Sequence, residues 1–151
     1  MKNLRTYSKG FTLIEILVVI GIIAILAAIV IIAINPARQF AQARNSQRES
    51  NINTILNAIG QNLADNKGVF TCTGIGTAPD TTARAIGTGV VNLGCLAPTY
   101  IASSIPFDPD GGDAADTDYT IQKDATGRFT LCAPKHADAA IPGSTTYCLT
   151  R

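Results

Sequence analysis

A chain of 151 residues has room for one globular domain at most beside any anchoring segment, and at 46% hydrophobic it is apolar for a soluble protein. The formal net charge of +1 lacks the strong basic field of a dedicated nucleic-acid binder, so a nucleic-acid partner is left unassigned. No cysteine pair has CxxC spacing and His136 is the lone histidine, which argues against a zinc module.

Charge and hydropathy are distributed unevenly. Lys2, Arg5 and Lys9 precede an apolar run from Phe11 to Ile34 in which Glu15 is the only ionisable side chain. That run is long enough to cross a bilayer as a helix, which takes about 20 residues, and too long for a signal peptide's apolar region of about 7–15. Ala41-Gln42-Ala43 has the small-residue pattern of a signal-peptidase site, but it lies beyond Asn35-Pro36 and a charge. Basic residues flank the run almost equally, so they orient it weakly. The cysteines orient it better, because they all follow the run and need an oxidising compartment to pair.

Glu15 requires an explanation. An ionisable group inside a span is costly and by default marks function, although a glutamate near the span's end can be tolerated by snorkelling. A functional carboxylate there wants a cation at its own depth, and the run holds no Lys or Arg. A new amino terminus made by cleavage just before Phe11 would supply one.

Ser8-Lys9-Gly10-Phe11-Thr12-Leu13-Ile14-Glu15 resembles the class III signal of type IV pilins and pseudopilins, a short basic leader ending in Gly before an apolar helix. The resemblance covers about residues 1–66. It implies cleavage between Gly10 and Phe11 by prepilin peptidase, a membrane aspartyl protease, and N-methylation of Phe11. Gly10, without a Cβ, suits a narrow protease cleft. The resemblance gives Glu15 the role of meeting the Phe11 ammonium of a neighbouring subunit. It further implies a homopolymer of such subunits, an inner-membrane assembly platform, and membrane lipid as the environment before assembly. The implied location is a single-pass cytoplasmic membrane protein with a cytoplasmic leader, then an extracellular or periplasmic filament.

Beyond Asn35-Pro36, Ile52, Ile55, Leu56, Ile59 and Leu63 recur at three- and four-residue steps, the stripe of an amphipathic helix. Gly68 after Asn66-Lys67 marks its stop. The family pattern is one long helix, half in the membrane or filament core and half on a sheet, and Pro36 is expected to kink or open it. Many pilins carry a proline earlier, near Ile32 here, so the helix break is displaced in this chain. Phe40, Ala41, Arg44 and Arg48 fall between two readings, a solvated face and contact with the acidic head of a neighbour.

Residues 69–98, rich in Gly, Thr and Ala, read as a loop-rich segment with Cys72 and Cys95 near its ends. Leu96 to Ile101 and Ile105-Pro106-Phe107-Asp108-Pro109 resemble a turn of the major pseudopilins of type II secretion that leads into the sheet. Tyr119–Lys123 and Arg128–Ala133 flank Asp124-Ala-Thr-Gly127 as a hairpin, and Thr145–Leu149 makes a third strand. Side chains alternate faces along a strand, so Cys132 and Cys148 share the outer face if Phe129, Leu131, Tyr147 and Leu149 share the inner one. That favours Cys132–Cys148 with Cys72–Cys95 among the three connectivities of four cysteines.

Asp108, Asp110 and Asp113 lie in an acidic run that offers hard oxygen ligands, and major pseudopilins often bind calcium in this part of the domain. The spacing is not that of an EF-hand and no Glu closes it, so a solvated acidic loop is the preferred reading and no cofactor is assigned. No nucleophile–base constellation, phosphate-cradling Gly motif or metal-ligand spacing suggests an enzyme.

The expected fold is α+β: a long N-terminal helix, membrane-spanning in one half and amphipathic in the other, packed on a small antiparallel β-sheet stapled by disulfides. The expected division is a cleaved leader at 1–10, a transmembrane or filament-core helix at 11–34, an amphipathic helix at 35–68 and a globular head at 69–151. The expected function is a filament subunit, with a major pseudopilin of a type II secretion system as the near alternative. The alternative of another class is a membrane-anchored extracytoplasmic binding module that never polymerises, which would have no use for a Gly-Phe cleavage site followed by Glu15.

Overall fold

The computed structural model describes residues 10–75 and 80–151, so the expected leader, Gly10 apart, lies outside the described residues. The chain separates into two compact units at the Gln39–Phe40 junction, and each is described on its own.

In the first unit, helix α1 runs Leu13–Ala33 and no residue of it is buried. Twenty-one residues at 1.5 Å each span about 31 Å, the thickness of a hydrocarbon core of about 30 Å. Apolar side chains cover it on every side, as lipid or close helical neighbours require and water does not. The helix ends at Ala33 because Ile34 turns extended, at φ −99° and ψ 103°. The residue that proline keeps out of the helical region is Asn35, just before Pro36, and Pro36 opens the next helix, where its missing N–H costs nothing. The break falls where Pro36 stands, as expected.

Helix α2, Pro36–Asp65, supplies one wall of the second unit. Its buried apolar face is Ile52, Ile55, Leu56, Ala58 and Ile59, with Leu63 packed at the margin. It stops at the expected place. Lys67 and Gly68 take positive φ, and the Gly68 N–H donates to the Leu63 carbonyl, closing the last turn. Ala41-Gln42-Ala43 lies within this helix, with Ala41 fully buried.

Four antiparallel strands follow in the order β1-β2-β3-β4: Asp80–Ala85, Thr120–Lys123, Phe129–Ala133 and Tyr147–Thr150. The last three are the expected strands with ends shifted by a residue or two. Strand β1 lies within the loop-rich segment 69–98, where the sequence pattern places no strand; it pairs with β2 through a register shift between Asp80 and Arg84. Phe129, Leu131 and Ala133 of β3 point inward with Ile121 of β2 and meet the α2 stripe. Ile86, Val91, Leu93 and Leu96 of the long β1–β2 connection complete this core.

Two disulfides join Cys72 to Cys95 and Cys132 to Cys148, the favoured connectivity. Cys132 and Cys148 are register partners on β3 and β4, with Cα atoms 4.1 Å apart. They stand on the outer face because Leu131 and Leu149, also partners, turn inward. Peptide mapping without reductant should therefore recover both cross-links and no free thiol. Each loop closed, 23 and 16 residues apart in sequence, is worth about 3 kcal/mol of chain entropy, so removing either bridge should lower unfolding stability measurably. Four alkylatable cysteines in native protein would overturn the pairing.

Candidate processing and assembly site

The start of α1 is built by a single local device. Gly10 and Phe11 lie outside the helix, and Phe11 is 84% exposed. Thr12 is the N-cap, extended at φ −84° and ψ 151°, and its hydroxyl accepts from the Glu15 N–H at 3.3 Å. Glu15 returns the contact: its Oε2 accepts from the Thr12 N–H at 2.7 Å and the Thr12 hydroxyl at 2.8 Å. This reciprocal capping box satisfies backbone donors that a helix start leaves orphaned. It also places an anion at the positive end of the helix dipole.

Three things follow for the chemistry. The Gly10–Phe11 peptide bond stands in non-helical chain, open to a protease, because the helix begins only after the cap. The Glu15 carboxylate is held by its own chain rather than left bare in apolar surroundings. Among the described residues only its Oε2 accepts hydrogen bonds, so Oε1 keeps its capacity for an outside cation.

Residues 5–34 match the family model described as the prokaryotic N-terminal methylation motif. The chain carries the class III signal of type IV pilins and pseudopilins. No curated protein and no solved structure matches the chain. The match covers the N-terminal signal and helix α1, and it supports a pilin-like or pseudopilin subunit held in a membrane.

Thr12 lies outside the residues that the sequence reading singles out beside Gly10, Phe11 and Glu15. Its signal was legible, since Thr12-x-x-Glu15 ahead of an apolar run is the spacing of a capping box. The other predicted residues lie in the second unit. The cysteines are paired as above. Among the described residues Asp108, Asp110 and Asp113 do not gather as a cation-binding group: Asp108 accepts from Arg48 and the Asp110 N–H, the Asp110 backbone carbonyl from Lys135, and Asp113 from the Ala115 N–H.

Arg48 corrects the reading of its helix face. It is neither solvated nor free for a neighbour, being 0% exposed in its own head, with Asp108 at 1%. Its Nε donates to Asp108 Oδ2 at 2.7 Å and its second terminal nitrogen to Oδ1 at 2.9 Å, a two-pronged pair. The remaining terminal nitrogen donates to Asn45 Oδ1 at 2.6 Å. Burial alone would push the Asp108 carboxyl up, but the Arg48 hydrogen bonds, the Asp110 N–H and the Arg48 charge together hold it below its ordinary value. Arg44, a third exposed, pairs with Asp138 of the same chain at 2.8 Å. Phe40, by contrast, is 67% exposed.

Further polar groups of α2 are buried along the helix. The Asn51 side chain donates to the Phe107 carbonyl at 3.1 Å and the Tyr119 hydroxyl at 2.9 Å. The Asn45 amide donates to the His136 carbonyl at 2.9 Å, and the Asn62 amide to the Thr71 hydroxyl at 2.8 Å. The Ile105–Pro109 turn is thus gripped at Phe107 and Asp108 by α2.

Proposed function

We propose that the chain is the structural subunit of a type IV pilus-like filament, processed after Gly10 and polymerised through its N-terminal helix. One observation carries the reading: a capped, wholly unburied apolar helix begins three residues after Gly10 and bears its only charge, Glu15, in its first turn. A plain anchor explains the apolar length but neither the glycine-phenylalanine junction nor the glutamate.

In this reading residues 1–10 are a leader cut away by prepilin peptidase, Phe11 is the methylated new terminus, and 11–34 holds the precursor in lipid and later packs the filament core. Segment 35–68 carries that helix into the head, and 69–151 completes it. The leader stays cytoplasmic and the head crosses to the extracytoplasmic side, where the cysteines oxidise. Copies of the same chain and an inner-membrane assembly platform are the partners, and the role is structural rather than enzymatic. The Ile105–Pro109 turn favours a second reading, a major pseudopilin of a type II secretion system, because it resembles the turn of those subunits and is anchored here by Arg48.

Mass spectrometry of the mature protein tests the reading. The expected terminus is N-methyl-Phe11, and Gly10→Val should leave full-length precursor in the membrane, since a branched side chain at the scissile position obstructs the cleft. A mature chain starting near residue 44, or efficient processing of Gly10→Val, would overturn it.

A further inference from the structure

The acidic segment from Asp108 to Asp118 contains five aspartates, and a hard-cation site would need several of their oxygens to converge. Several of these oxygens are already taken within the chain, and among the described residues no three carboxylates gather as ligands. Both carboxylate oxygens of Asp108 accept from Arg48, and Oδ1 also accepts from the Asp110 N–H. Asp113 Oδ1 accepts from the Ala115 and Asp116 N–H groups, and Asp116 Oδ1 from the Asp118 N–H. Two oxygens of the segment, Asp118 Oδ2 and the Asp110 carbonyl, share a cation. Lys135 Nζ donates to them at 2.8 and 2.6 Å.

We infer that Lys135 is the resident cation of this loop, an ammonium where a metal-dependent loop would hold a divalent ion, and that the head folds without calcium. The backbone is shaped around the contact. Gly111 sits at φ +96°, and a Cβ there would stand 3.4 Å from Lys135 Nζ. At Gly112 a Cβ would come within 2.6 Å of the Asp108 nitrogen, so Gly112 lets the loop backbone close on itself while Gly111 supplies the left-handed turn beside the lysine. Calcium wants six to eight oxygens at about 2.3–2.6 Å, whereas an ammonium with three donors is served by a few acceptors. The hydrogen bond to Asp118 also favours the charged lysine, raising its pKa. Lys135 follows β3 directly, and Arg48 comes from α2, so two cations from opposite sides of the fold hold one acidic loop.

The test uses the full-length chain in detergent micelles. Thermal unfolding of the wild type should be the same in chelator and in millimolar calcium chloride, at or above the dissociation constants of about 0.1–1 mM found for extracellular modules. A saturable rise in melting temperature with calcium would overturn the inference, because any ligand of the native state stabilises it by mass action. Amide exchange supplies the positive arm. In Lys135→Met the Asp113 and Thr117 amides, which bond to the Asp116 and Ile86 carbonyls, should exchange about 2–5-fold faster, the range expected of a partly exposed ion pair. Lys135→Arg keeps the charge and should stay close to wild type. Exchange unchanged in Lys135→Met, or equally fast in Lys135→Arg, would show that the ammonium does not organise the loop.

Discussion

Asp108→Ala should destabilise the head by about 3–5 kcal/mol, because it leaves the Arg48 guanidinium buried without its anion. A domain of this size has about twice that in hand, within the usual 5–15 kcal/mol, so the variant should sit close to unfolding at growth temperature. Urea unfolding followed by tyrosine fluorescence reads the effect, since the chain has no tryptophan and Tyr119 lies in the core. The double variant Arg48→Met/Asp108→Leu is the decisive companion. Replacing both charges by apolar groups of similar volume removes the desolvation cost as well as the attraction, so it should lose far less than Asp108→Ala alone. A double variant as unstable as the single one would mean that the pair matters through packing, not through charge. The same group sets an acid limit. Asp108 is held below its ordinary value of 3.8, so its contribution is fully present above about pH 4 and is lost as pH falls through the lower folded value. Wild-type stability should therefore drop on acidification below about pH 4, and Asp108→Ala should show a flatter acid limb.

Glu15→Leu should abolish filaments while leaving the subunit in the membrane and cleaved. Processing acts upstream, and a leucine makes the span more apolar, so insertion should become slightly easier. Assembly has to bring the Phe11 ammonium of one subunit into apolar surroundings, where a missing partner costs about 3–5 kcal/mol. The capping box adds a control that tells charge from helix start. Glu15→Gln can still accept from the Thr12 N–H and hydroxyl, so it preserves the cap geometry and removes only the anion. If charge pairing drives assembly, Glu15→Gln should fail like Glu15→Leu, and Glu15→Asp should fall between these and wild type, keeping charge with a shorter reach. The comparison is cleaved subunit in membranes against subunit in sheared filaments for each variant. Wild-type filament yield from Glu15→Gln would assign the residue to capping alone, and wild-type yield from Glu15→Leu would leave it a merely tolerated glutamate.

What could be read from the chain followed the physics of each signal. The apolar run, the Pro36 break, the Gly68 stop and the hairpin after Tyr119 are local patterns, and the structure has all of them. The Cys132–Cys148 bridge was within reach because strand alternation fixes facing from a few neighbours. Strand β1 was hidden because Asp80–Ala85, DTTARA, has no apolar alternation; it lies at the sheet edge with little of it buried. Arg48 was hidden for a different reason. Its partner Asp108 is 60 residues away, and nothing local distinguishes a buried arginine from the exposed Arg38 on the same helix. At the processing site, Gly10, Phe11 and Glu15 were legible as a motif, while the capping role of Thr12 needed the two residues to be read together.

In the filament proposed above a subunit would be pulled as well as packed, and the polar row on α2 bears on how it would resist a tensile load. Asn45, Arg48, Asn51 and Asn62 grip the rest of the head at successive levels of the helix, through bonds of 2.7–3.1 Å. An apolar stripe sliding over an apolar sheet loses contact gradually, because burial does not depend on direction. Hydrogen bonds do. A shift of α2 by one helical turn, about 5.4 Å along its axis, would carry all of these contacts past bonding distance. The helix is therefore latched in parallel rather than greased: under shear it should hold its place and then release abruptly, instead of creeping.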